Sequence, residues 1–582
     1  MSDLRNIFRR FPADVWWGAG VFLLAVLPFL PSTGYPFLIE WDDGRFVLFN
    51  DRLIPSWENA FHLATHTFQT LYTPLPMLSL MVDRLLFGTL PAGYHWHNLL
   101  LHGVAALLLF GIFRRLETRS WIAAAAALLW AVLPARVESV AWITERKDLT
   151  AGVFAFGAVW LFLRAADRGK LSWGSAVLLL FAGISKPSAL PLFGLMILYL
   201  FCRSGVRWSA LRPAFPQFAA AVIASVATVG ISMADLAAEP PPPEGGSGMT
   251  GTVVRFCRYF TASVLPTGMN PLHPRFRWEE SWGPGLLVAV GIALGLVLAA
   301  RKCGMSWRSI LFFAFAFGGM WLPSEASGSF TNADFCERYG YFPSAVIWGM
   351  IAVIAERLLL RHPGWGFRMT VGAGCWFLLC AGVTFHYLPT FSDSAKLFTY
   401  AVGAAEVPNP KAMEGLALTG YNRNDPELIE RAGNAFLAAA EEVPQTVRPL
   451  YENTGRCFSG EAAMRRGDLL RAARHLLEPL AVTPVPPMFA PDQYLGGWYG
   501  NAVTLLLAAN RRDEALGLLK FQAEQKIGSE AELLFAAGVR CYLEGDRAGA
   551  RKAWLRAREL RPEDRRIEFN LRRLDEKGGG GK

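Results

Sequence analysis

Apolar and polar positions divide the chain into two parts of different character. Apolar runs recur every 20–40 residues as far as about residue 390, and short polar or basic segments separate them. A helix needs about 20 mostly apolar residues to cross a bilayer. The pattern therefore predicts eleven crossings, near residues 15–31, 97–113, 120–134, 149–163, 172–184, 189–202, 214–234, 284–300, 308–322, 342–356 and 369–388.

Residues 391–582 lack such runs and are charged, rich in arginine and helical in their periodicity. The predicted fold class is therefore all-α. A polytopic transmembrane helical domain covers residues 1–390 and a soluble helical domain covers 391–577. The glycine-rich end, 578–582, is predicted to be a disordered tail.

Composition supports an integral membrane protein and argues against a nucleic-acid-binding one. Hydrophobic residues make up 53% of the chain and the mean hydropathy is +0.27, whereas soluble domains are about 45–50% apolar. The net charge of +9 lies largely in short loops between apolar runs, where basic residues report membrane orientation. The eight cysteines form no CxxC pair, so no zinc-binding pattern is present.

Basic residues mark alternate loops, which predicts the topology. Six short segments carry three basic residues each, and the positive-inside rule places them in the cytoplasm. The loops 32–96, 135–148, 185–188, 235–283 and 323–341 then lie outside, and an odd number of spans sends the C-terminal domain outside too. The basic segments contain Arg5, Arg9, Arg10; Arg114, Arg115, Arg119; Arg164, Arg168, Lys170; Arg203, Arg207, Arg212; Arg301, Lys302, Arg308; and Arg357, Arg361, Arg368.

The segment 71–88 is apolar but carries Pro74, Pro76, Asp83 and Arg84. Counting it as a crossing would invert every later loop and contradict the distribution of basic residues. It is therefore predicted to be an amphipathic helix on the outer surface of the membrane.

The first predicted outer loop contains the acidic pair Asp42-Asp43, within IEWDDGRF. Two adjacent carboxylates are tolerated beside a membrane only when they face water or a cation. Taken alone, an adjacent acidic pair is more simply explained as part of a solvated surface loop. The other polar residues of the outer side favour a site.

Those residues are Glu138, Arg146, Lys147 and Asp148 in VESVAWITERKD, Lys186 in SKPS, Glu337, Arg338 and Tyr339 in ERYGYFPS, and His97. Basic residues at outer helix ends oppose the positive-inside bias, which indicates an anionic partner there. Alternatives remain open: Lys186 could extend to the membrane interface, Arg338 could pair with Glu337 or Asp334, and His97 could be a packed interfacial residue.

An internal repeat lies in the C-terminal domain. Small and bulky residues recur with spacings of 12, 4, 3 and 5, which is the tetratricopeptide (TPR) pattern of helix pairs that bury their apolar faces only by stacking. The domain is predicted to be a TPR-like α-solenoid that binds or positions a partner. The two clear copies are Gly420, Ala432, Phe436, Ala439, Pro444 and Gly538, Ala550, Trp554, Ala557, Pro562.

Five segments together resemble the membrane glycosyltransferases of the GT-C superfamily. They are WDDGRFV (41–47), FGTLPAGYHWHNLLLH (87–102), VESVAWITERKD (137–148), SKPSALPL (185–192) and ERYGYFPS (337–344). The order and the C-terminal repeats are most similar to the transmembrane-and-TPR O-mannosyltransferases and their bacterial relatives. The resemblance covers nearly the whole chain.

The resemblance implies a polyprenyl phosphate carrying one sugar as donor, and chemistry on the extracytoplasmic side of a bacterial inner membrane. The family's acidic position falls on Asp42-Asp43, its second-loop motif on Glu138, Arg146 and Asp148, and its Arg-Tyr motif on Arg338 and Tyr339. Related bacterial sequences commonly carry His-Pro and a further His before VESVAW. Here Leu133-Pro134 and Arg136 stand there instead, which leaves the acceptor open.

The first hypothesis is an inverting glycosyltransferase. Asp42 or Asp43 is the general base for an acceptor hydroxyl of a protein or glycan. The predicted donor-phosphate ligands are Arg146, Lys147, Lys186 and Arg338, with Glu138, Asp148, His97, Glu337 and Tyr339 in support. No ligand spacing demands a metal, so Mg²⁺ or Mn²⁺ at Asp42 and Asp43 stays open.

The second hypothesis is a non-catalytic scaffold or lipid transporter whose repeats dock envelope proteins. Sugar transfer from a polyprenyl-phosphate donor to an acceptor separates the two hypotheses. Both expect membrane lipids and a protein partner on the repeat domain, and neither expects nucleic acid.

Overall fold

The computed structural model describes residues 13–69, 71–204, 208–236, 248–274, 283–331, 335–405, 407–482 and 492–576. The chain is all-α: within these ranges there is no β-strand, and only an isolated bridge joins Phe68 and Leu71. The chain divides into two compact units, Met1–Ala404 and Ala405–Lys582. The predicted tail at 578–582 lies outside the described residues.

The first unit contains sixteen described α-helices, joined by loops, short 3₁₀ turns and, after the acidic pair, a π-helical turn over Gly44–Leu48. They are α1 (Ala13–Val26), α2 (Trp57–Thr65), α3 (Pro74–Phe87), α4 (Pro91–Arg115), α5 (Ser120–Ala131), α6 (Val137–Ala141), α7 (Arg146–Ala166), α8 (Trp173–Ser185), α9 (Leu192–Ser204), α10 (Phe215–Leu236), α11 (Gly248–Ala262), α12 (Gly283–Lys302), α13 (Trp307–Thr331), α14 (Tyr341–Arg361), α15 (Gly366–Tyr387) and α16 (Ser394–Gly403).

Each of the eleven predicted crossings coincides with helix over most of its length. In the described part of the chain, seven helical stretches are long and apolar enough to cross a membrane, and α5 with the segment Pro134–Ala141 makes an eighth if it is one bent span. The stretches Trp173–Ser185 and Pro187–Arg203 are apolar but shorter. The unit is therefore a multi-pass membrane domain.

Prolines shape the C-terminal ends of two of these helical stretches. α1 continues as a 3₁₀ helix over Leu27–Gly34, which contains Pro28 and Pro31. Between α5 and α6 the helix axis turns by 63° at Leu133-Pro134. Proline has no N–H to donate, so it interrupts the α-helical hydrogen bonds. The turn leads directly into α6, which contains Glu138.

The amphipathic segment forms α3, a helix of 14 residues. At 1.5 Å per residue it extends about 21 Å, which is shorter than the ~30 Å hydrocarbon core of a bilayer. One face of α3 is buried through Met77, Leu80, Met81 and Asp83. The helix thus packs on the domain through a mostly apolar face that includes one carboxylate.

The loops of the membrane domain meet in two separate groups. In the basic group, Arg115 pairs with Asp167 at 3.3 Å and Arg119 with Glu356 at 3.2 Å. In the other group, Asp43 accepts a hydrogen bond from Thr144 and Lys186 pairs with Glu145. Loops that the charge pattern assigns to one side of the membrane therefore contact one another.

The second unit contains nine described helices, each of which packs on the next one along the chain. Such sequential stacking is the architecture of a helical solenoid. The helices are α17 (Pro410–Arg423), α18 (Pro426–Ala440), α19 (Arg448–Arg465), α20 (Leu469–Val482), α21 (Asp492–Ala508), α22 (Arg512–Glu524), α23 (Glu530–Glu544), α24 (Arg547–Leu560) and α25 (Arg565–Glu576).

The glycines of the repeat pattern sit where two helices approach closely. A Cβ added at Gly538 would overlap the indole of Trp554, whose Nε1 donates to the carbonyl of Phe535 at 3.1 Å. A Cβ at Gly420 would lie 2.7 Å from Cγ1 of Ile429. The small residues of the repeat are therefore required by helix packing.

Candidate active site

The two carboxylates of the acidic pair have different surroundings. Asp43 is buried and accepts three hydrogen bonds: from the backbone N–H of Leu38 at 3.0 Å, from the backbone N–H of Thr144 at 3.0 Å and from the Thr144 hydroxyl at 2.5 Å. Burial raises the pKa of Asp43 to about 6 despite these donors. Asp43 thus joins the loop between α1 and α2 to the segment that precedes α7.

Asp42 is only partly buried, and its carboxylate accepts no hydrogen bond from any residue in the described ranges. Burial raises the pKa of its carboxyl group above the ordinary value, and the nearby Lys147 and Arg338 oppose that shift. The backbone turns tightly after the pair, because a Cβ at Gly44 would overlap the carbonyl oxygen of Ile39. Asp42 is therefore the carboxylate of the pair that remains open to another molecule.

A cluster of charged side chains lies beside Asp42. Lys186 Nζ is 2.9 Å from Glu145 Oε1 and 2.5 Å from Asp148 Oδ1, so Lys186 bridges the two carboxylates. Lys147 Nζ lies 3.5 Å from Glu145 Oε2. Lys186 thus does not extend to the membrane interface, one of the alternatives that the sequence left open.

Arg338 joins this cluster from the 3₁₀ turn Glu337–Gly340 that precedes α14. Its backbone N–H donates to Glu138 Oε2 at 2.8 Å, its guanidinium pairs with Glu138 Oε1, and its Nε lies 3.7 Å from Glu145 Oε2. The sequence left Glu337 and Asp334 open as partners of Arg338. Glu337 contacts Asn270 and His273 instead, and Asp334 lies outside the described residues.

Aromatic rings cover the cations of the cluster. The Arg338 guanidinium lies 5.4 Å from the ring centroid of Trp142 and 5.1 Å from that of Tyr339. Lys186 Nζ lies 4.9 Å from the Tyr339 ring. Cations within about 6 Å of an aromatic face are attracted by its electrons. The rings hold the cations in position and keep water from one side.

The cations face outward and the carboxylates lie beneath them. The exposed fractions of the side chains are 14% for Lys147, 11% for Lys186 and 14% for Arg338. Those of Glu138, Glu145 and Asp148 are 1–2%. An approaching molecule therefore meets nitrogen donors first, which is the arrangement expected for binding an anion.

Arg146 belongs to a second network. Its side chain is fully buried, its Nη2 lies 2.7 Å from Asp83 Oδ2, and it donates to the carbonyl of Tyr94 at 2.9 Å and to Oδ1 of Asn98. His97 Nδ1 lies 2.7 Å from the other Asp83 oxygen. The structure therefore places Arg146 and His97 in the contact between α3, α4 and α7, apart from the outward-facing cations.

Glu337 lies in a third set of contacts. It is buried and accepts a hydrogen bond from the backbone N–H of Asn270 at 2.7 Å, and Nε2 of His273 lies 3.4 Å away. It anchors the loop after α11 to the start of α14. Of the predicted site residues, the structure brings Asp42, Glu138, Lys147, Asp148, Lys186, Arg338 and Tyr339 together, with Asp43 holding the loop behind them.

Several residues of these networks gave little signal in the sequence. Asp83 is a single carboxylate in an apolar helix, and Asn98 and Thr144 are neutral. Arg136 is fully buried beside the rings of Trp130 and Tyr341, where it donates to Gly340 O at 3.2 Å. The sequence distinguished Arg136 from the histidine of related bacterial sequences, but it did not predict the contacts of Arg136 with the two aromatic rings.

A divalent metal finds few ligands at the acidic pair. Both oxygens of Asp43 accept hydrogen bonds from protein groups, so Asp42 has the one open carboxylate. In the described part of the chain, no group of three or more His, Cys, Asp or Glu side chains is placed to hold a metal ion. Mg²⁺ and Mn²⁺ sites usually use further oxygen ligands.

Comparison with known proteins identifies relatives of the membrane domain. The family described as dolichyl-phosphate-mannose-protein mannosyltransferase matches residues 74–231. Protein O-mannosyl-transferase Tmtc1 of Drosophila melanogaster is 36% identical over 107 residues, which cover 18% of this chain and 12% of that protein. Protein O-mannosyl-transferase TMTC4 of Homo sapiens is 31% identical over 177 residues, 26% of this chain and 24% of that protein.

A third relative, protein O-mannosyl-transferase tmtc2 of Xenopus laevis, is 29% identical over 169 residues, which cover 28% of this chain and 20% of that protein. The matched segments thus span a quarter or less of each of these relatives. No solved structure matches the chain. The resemblance to protein O-mannosyltransferases noted from the sequence motifs is confirmed. The family match begins in α3 and ends within α10, and it contains three of the five motifs; those at 41–47 and 337–344 lie outside it.

Proposed function

We propose that this relative of the transmembrane-and-TPR protein O-mannosyltransferases is a membrane glycosyltransferase. It moves a sugar from a polyprenyl-phosphate carrier to a hydroxyl group of a protein or glycan acceptor outside the cytoplasm. One observation carries the proposal: the open carboxylate of Asp42 lies beside Lys147 and Arg338, two cations of the outward-facing cluster.

Asp42 is the general base in this mechanism. It takes the proton of the acceptor hydroxyl as the hydroxyl oxygen bonds to the anomeric carbon. A positioned base contributes about 10²–10⁴-fold to such a step, and it works best when its pKa is closer to the operating pH. The burial that raises the pKa of Asp42 makes it a stronger base than an exposed aspartate.

Lys147, Lys186 and Arg338 bind the phosphate of the donor. As the bond between the anomeric carbon and the phosphate oxygen breaks, the electron pair stays on the phosphate, and nearby cations stabilise this developing charge. Glu138, Glu145 and Asp148 hold the cations in place, and Tyr339 covers two of them. A single displacement inverts the anomeric centre.

The remaining site residues act through others. Asp43 positions Asp42 by tying the loop to Thr144. Arg146 and His97 join α3 to α4 and α7 through Asp83, and Glu337 anchors the chain next to Arg338. These are positioning residues, because their polar atoms are engaged within the protein. The repeat domain binds the acceptor or a partner protein.

The site lies outside the cytoplasm of a bacterial inner membrane in this proposal. The basic loops that contact one another face the cytoplasm, as the positive-inside rule expects. The group of loops that contains Asp42, Lys186 and Arg338 then faces the opposite compartment, where a lipid-linked sugar and a secreted acceptor meet.

The test uses the purified protein in liposomes and radiolabelled polyprenyl-phosphate mannose as donor. The acceptor is an envelope extract from cells that lack the protein. The wild type should transfer label to protein or glycan. Asp42→Asn should lower the rate by about 10²–10⁴-fold without changing the thermal unfolding temperature.

The matched control is Asp51→Asn, because Asp51 is an exposed carboxylate on the same loop. It should transfer at the wild-type rate. Full activity of Asp42→Asn would contradict the proposed base. Transbilayer movement of the labelled lipid without transfer would favour a lipid transporter instead.

A further inference from the structure

The repeat domain contains a groove near its C-terminal end. Helices α21, α23 and α25 line it, together with two residues of α22, and its volume is about 550 Å³, within the range of ligand-binding pockets. Its floor is apolar and includes Val503 and Phe535. The groove therefore offers both a hydrophobic surface and, on α25, a polar wall.

The polar wall carries cations that have no internal partner. Arg565, Phe569 and Arg573 line the groove, and their spacing of four residues places them on one face of α25. Phe569 is 64% exposed. Neither the Arg565 nor the Arg573 guanidinium has an ion pair or hydrogen bond with a residue in the described ranges.

In the described part of the domain, most other arginine side chains have a partner. Arg566, the neighbour of Arg565, forms a two-fold contact with Asp564, and Arg561 pairs with Glu532 at 3.2 Å. Glu532 is the carboxylate on the groove lining, and it also accepts from the backbone N–H of Ser529. The charge available to a ligand is therefore positive.

A buried polar atom lies at the bottom of the groove. Gln522 is 1% exposed. Its Nε2 donates to the carbonyl of Ile527 at 3.1 Å, but its Oε1 accepts no hydrogen bond from any described group. A buried acceptor without a donor costs free energy. An N–H group of a bound molecule would supply the missing donor.

These features select the chemistry of the occupant. A peptide in extended conformation has backbone N–H groups for Gln522, an apolar side chain for the floor and for Phe569, and carboxylates for Arg565 and Arg573. An anionic sugar has carboxylates but few apolar groups for the floor. The groove therefore matches an acidic peptide that also carries apolar side chains.

We infer that this groove is the docking site for an extended, acidic segment of a partner protein, with an apolar residue between its carboxylates. The inference deepens the proposed function, since it rests on the repeat domain binding a protein. The recognised segment then has carboxylates on both sides of an apolar residue.

The experiment uses the full chain in lipid nanodiscs and a phage-displayed library of random eight-residue peptides. The wild type should enrich peptides with two or more Asp or Glu residues around an apolar residue. The variant R565Q/R573Q should lose this enrichment. The matched control is R431Q/R474Q, which removes the same charge from two exposed arginines that do not line the groove.

The most enriched peptide is then measured by fluorescence polarisation at low and high salt. R565Q/R573Q should weaken binding at least about tenfold and reduce its salt dependence, because two charge-assisted contacts are lost. R431Q/R474Q should stay within about twofold of the wild type. The D42N variant should bind the peptide normally, so a failure of docking and a failure of the transferase proposal are distinguishable.

Three results would overturn the inference. The enriched peptides could lack acidic residues, the control variant could lose binding as fully as R565Q/R573Q, or uronic-acid oligosaccharides could bind in an arginine-dependent way where peptides do not. The last result would assign the groove to an anionic glycan.

Discussion

Asp42 and Asp43 differ in chemistry because their neighbours differ. Asp43 has three protein donors and no access to an incoming hydroxyl group. Asp42 has no such donors and lies near two cations that are partly exposed. A general base must reach within hydrogen-bond distance of the proton that it removes. Accessibility rather than charge therefore separates the proposed base from its neighbour.

The pH dependence of transfer should report Asp42. Its pKa is raised above the ordinary value for aspartate, about 3.9, and only the deprotonated form accepts a proton. The value of kcat/KM should therefore fall as the pH is lowered through this raised pKa, and the residual activity of Asp42→Asn should lack that decline. A wild-type profile with its midpoint at or below pH 3.9 would contradict the assignment.

The stability of the membrane domain should depend on pH through Asp43. Its pKa is about 6 in the folded protein and about 3.9 when unfolded, so the folded state binds the proton more tightly. Its contribution to stability is therefore present at low pH and is lost as the pH rises from about 4 through 6.

The difference should be on the order of 2 kcal/mol between pH 4 and 7. Asp43→Asn should show a smaller decrease in unfolding temperature over this range than the wild type, as measured by thermal unfolding in detergent. Identical pH profiles for the two proteins would show that Asp43 does not titrate in this way.

At the scale of helices, a buried ion pair joins α3 to α7. The side chains of Asp83 and Arg146 are 1% and 0% exposed. Removing one member of a buried pair leaves an uncompensated charge, which costs about 3–5 kcal/mol. Asp83→Ala and Arg146→Ala should each destabilise the domain by about that amount, and the double variant should cost less than their sum.

Arg115→Ala is the control for this prediction. Arg115 pairs with Asp167 at 3.3 Å, but both side chains are more than 30% exposed, and exposed pairs contribute about 0–1 kcal/mol. Chemical unfolding of the four variants would give the comparison. Additive effects of the two buried substitutions would mean that Asp83 and Arg146 are not coupled.

At the same scale, helix packing in the repeat domain predicts how two glycine substitutions change stability. In Gly538→Ala the new methyl group would overlap the Trp554 indole, so the domain should lose about 1–3 kcal/mol. In Gly517→Ala the methyl group would meet no atom within 4 Å. Alanine favours a helix over glycine by about 1 kcal/mol, so this variant should be as stable as the wild type or more stable.

Differential scanning calorimetry would measure both changes. The order of the two unfolding temperatures is the decisive observation. Gly538→Ala unfolding at or above the temperature of Gly517→Ala would show that the helices can separate at Gly538 without cost.

At the scale of the molecule, the two groups of loops define two ends of the membrane domain. Contacts join basic loops to one another, such as Arg119 to Glu356, and they join the loops of the candidate site, such as Glu138 to Arg338. The positive-inside rule assigns the first group to the cytoplasm. The proposed reaction then takes place on the opposite side.

Reporter fusions test this orientation. A reporter that is active only outside the cytoplasm should be active when it is fused after residues 60 and 400, and inactive after residue 168, in a loop with Arg164, Arg168 and Lys170. A cytoplasmic signal from residue 60 or residue 400 would contradict the proposed location of the site or of the repeat domain.

Much of the fold was accessible from the sequence because its causes are local. Transfer of a helix into lipid depends on the apolar residues within that stretch, so the eleven predicted crossings coincide with helices. The repeat was recognisable for a similar reason, because its contacts join residues that are close in the chain. Gly538 contacts Trp554, which is 16 residues further on. The same spacing separates Gly420 from Phe436.

The partners of the charged residues were decided only by the tertiary structure. Asp43 binds Thr144 across 101 residues, and Glu138 binds Arg338 across 200. The sequence shows that carboxylates and cations are present in the loops predicted to lie outside the cytoplasm, but their roles depend on burial and on which groups are close in space. For this reason two adjacent basic residues of one motif differ. Arg146 is buried in an ion pair with Asp83, whereas Lys147 remains partly exposed beside Asp42.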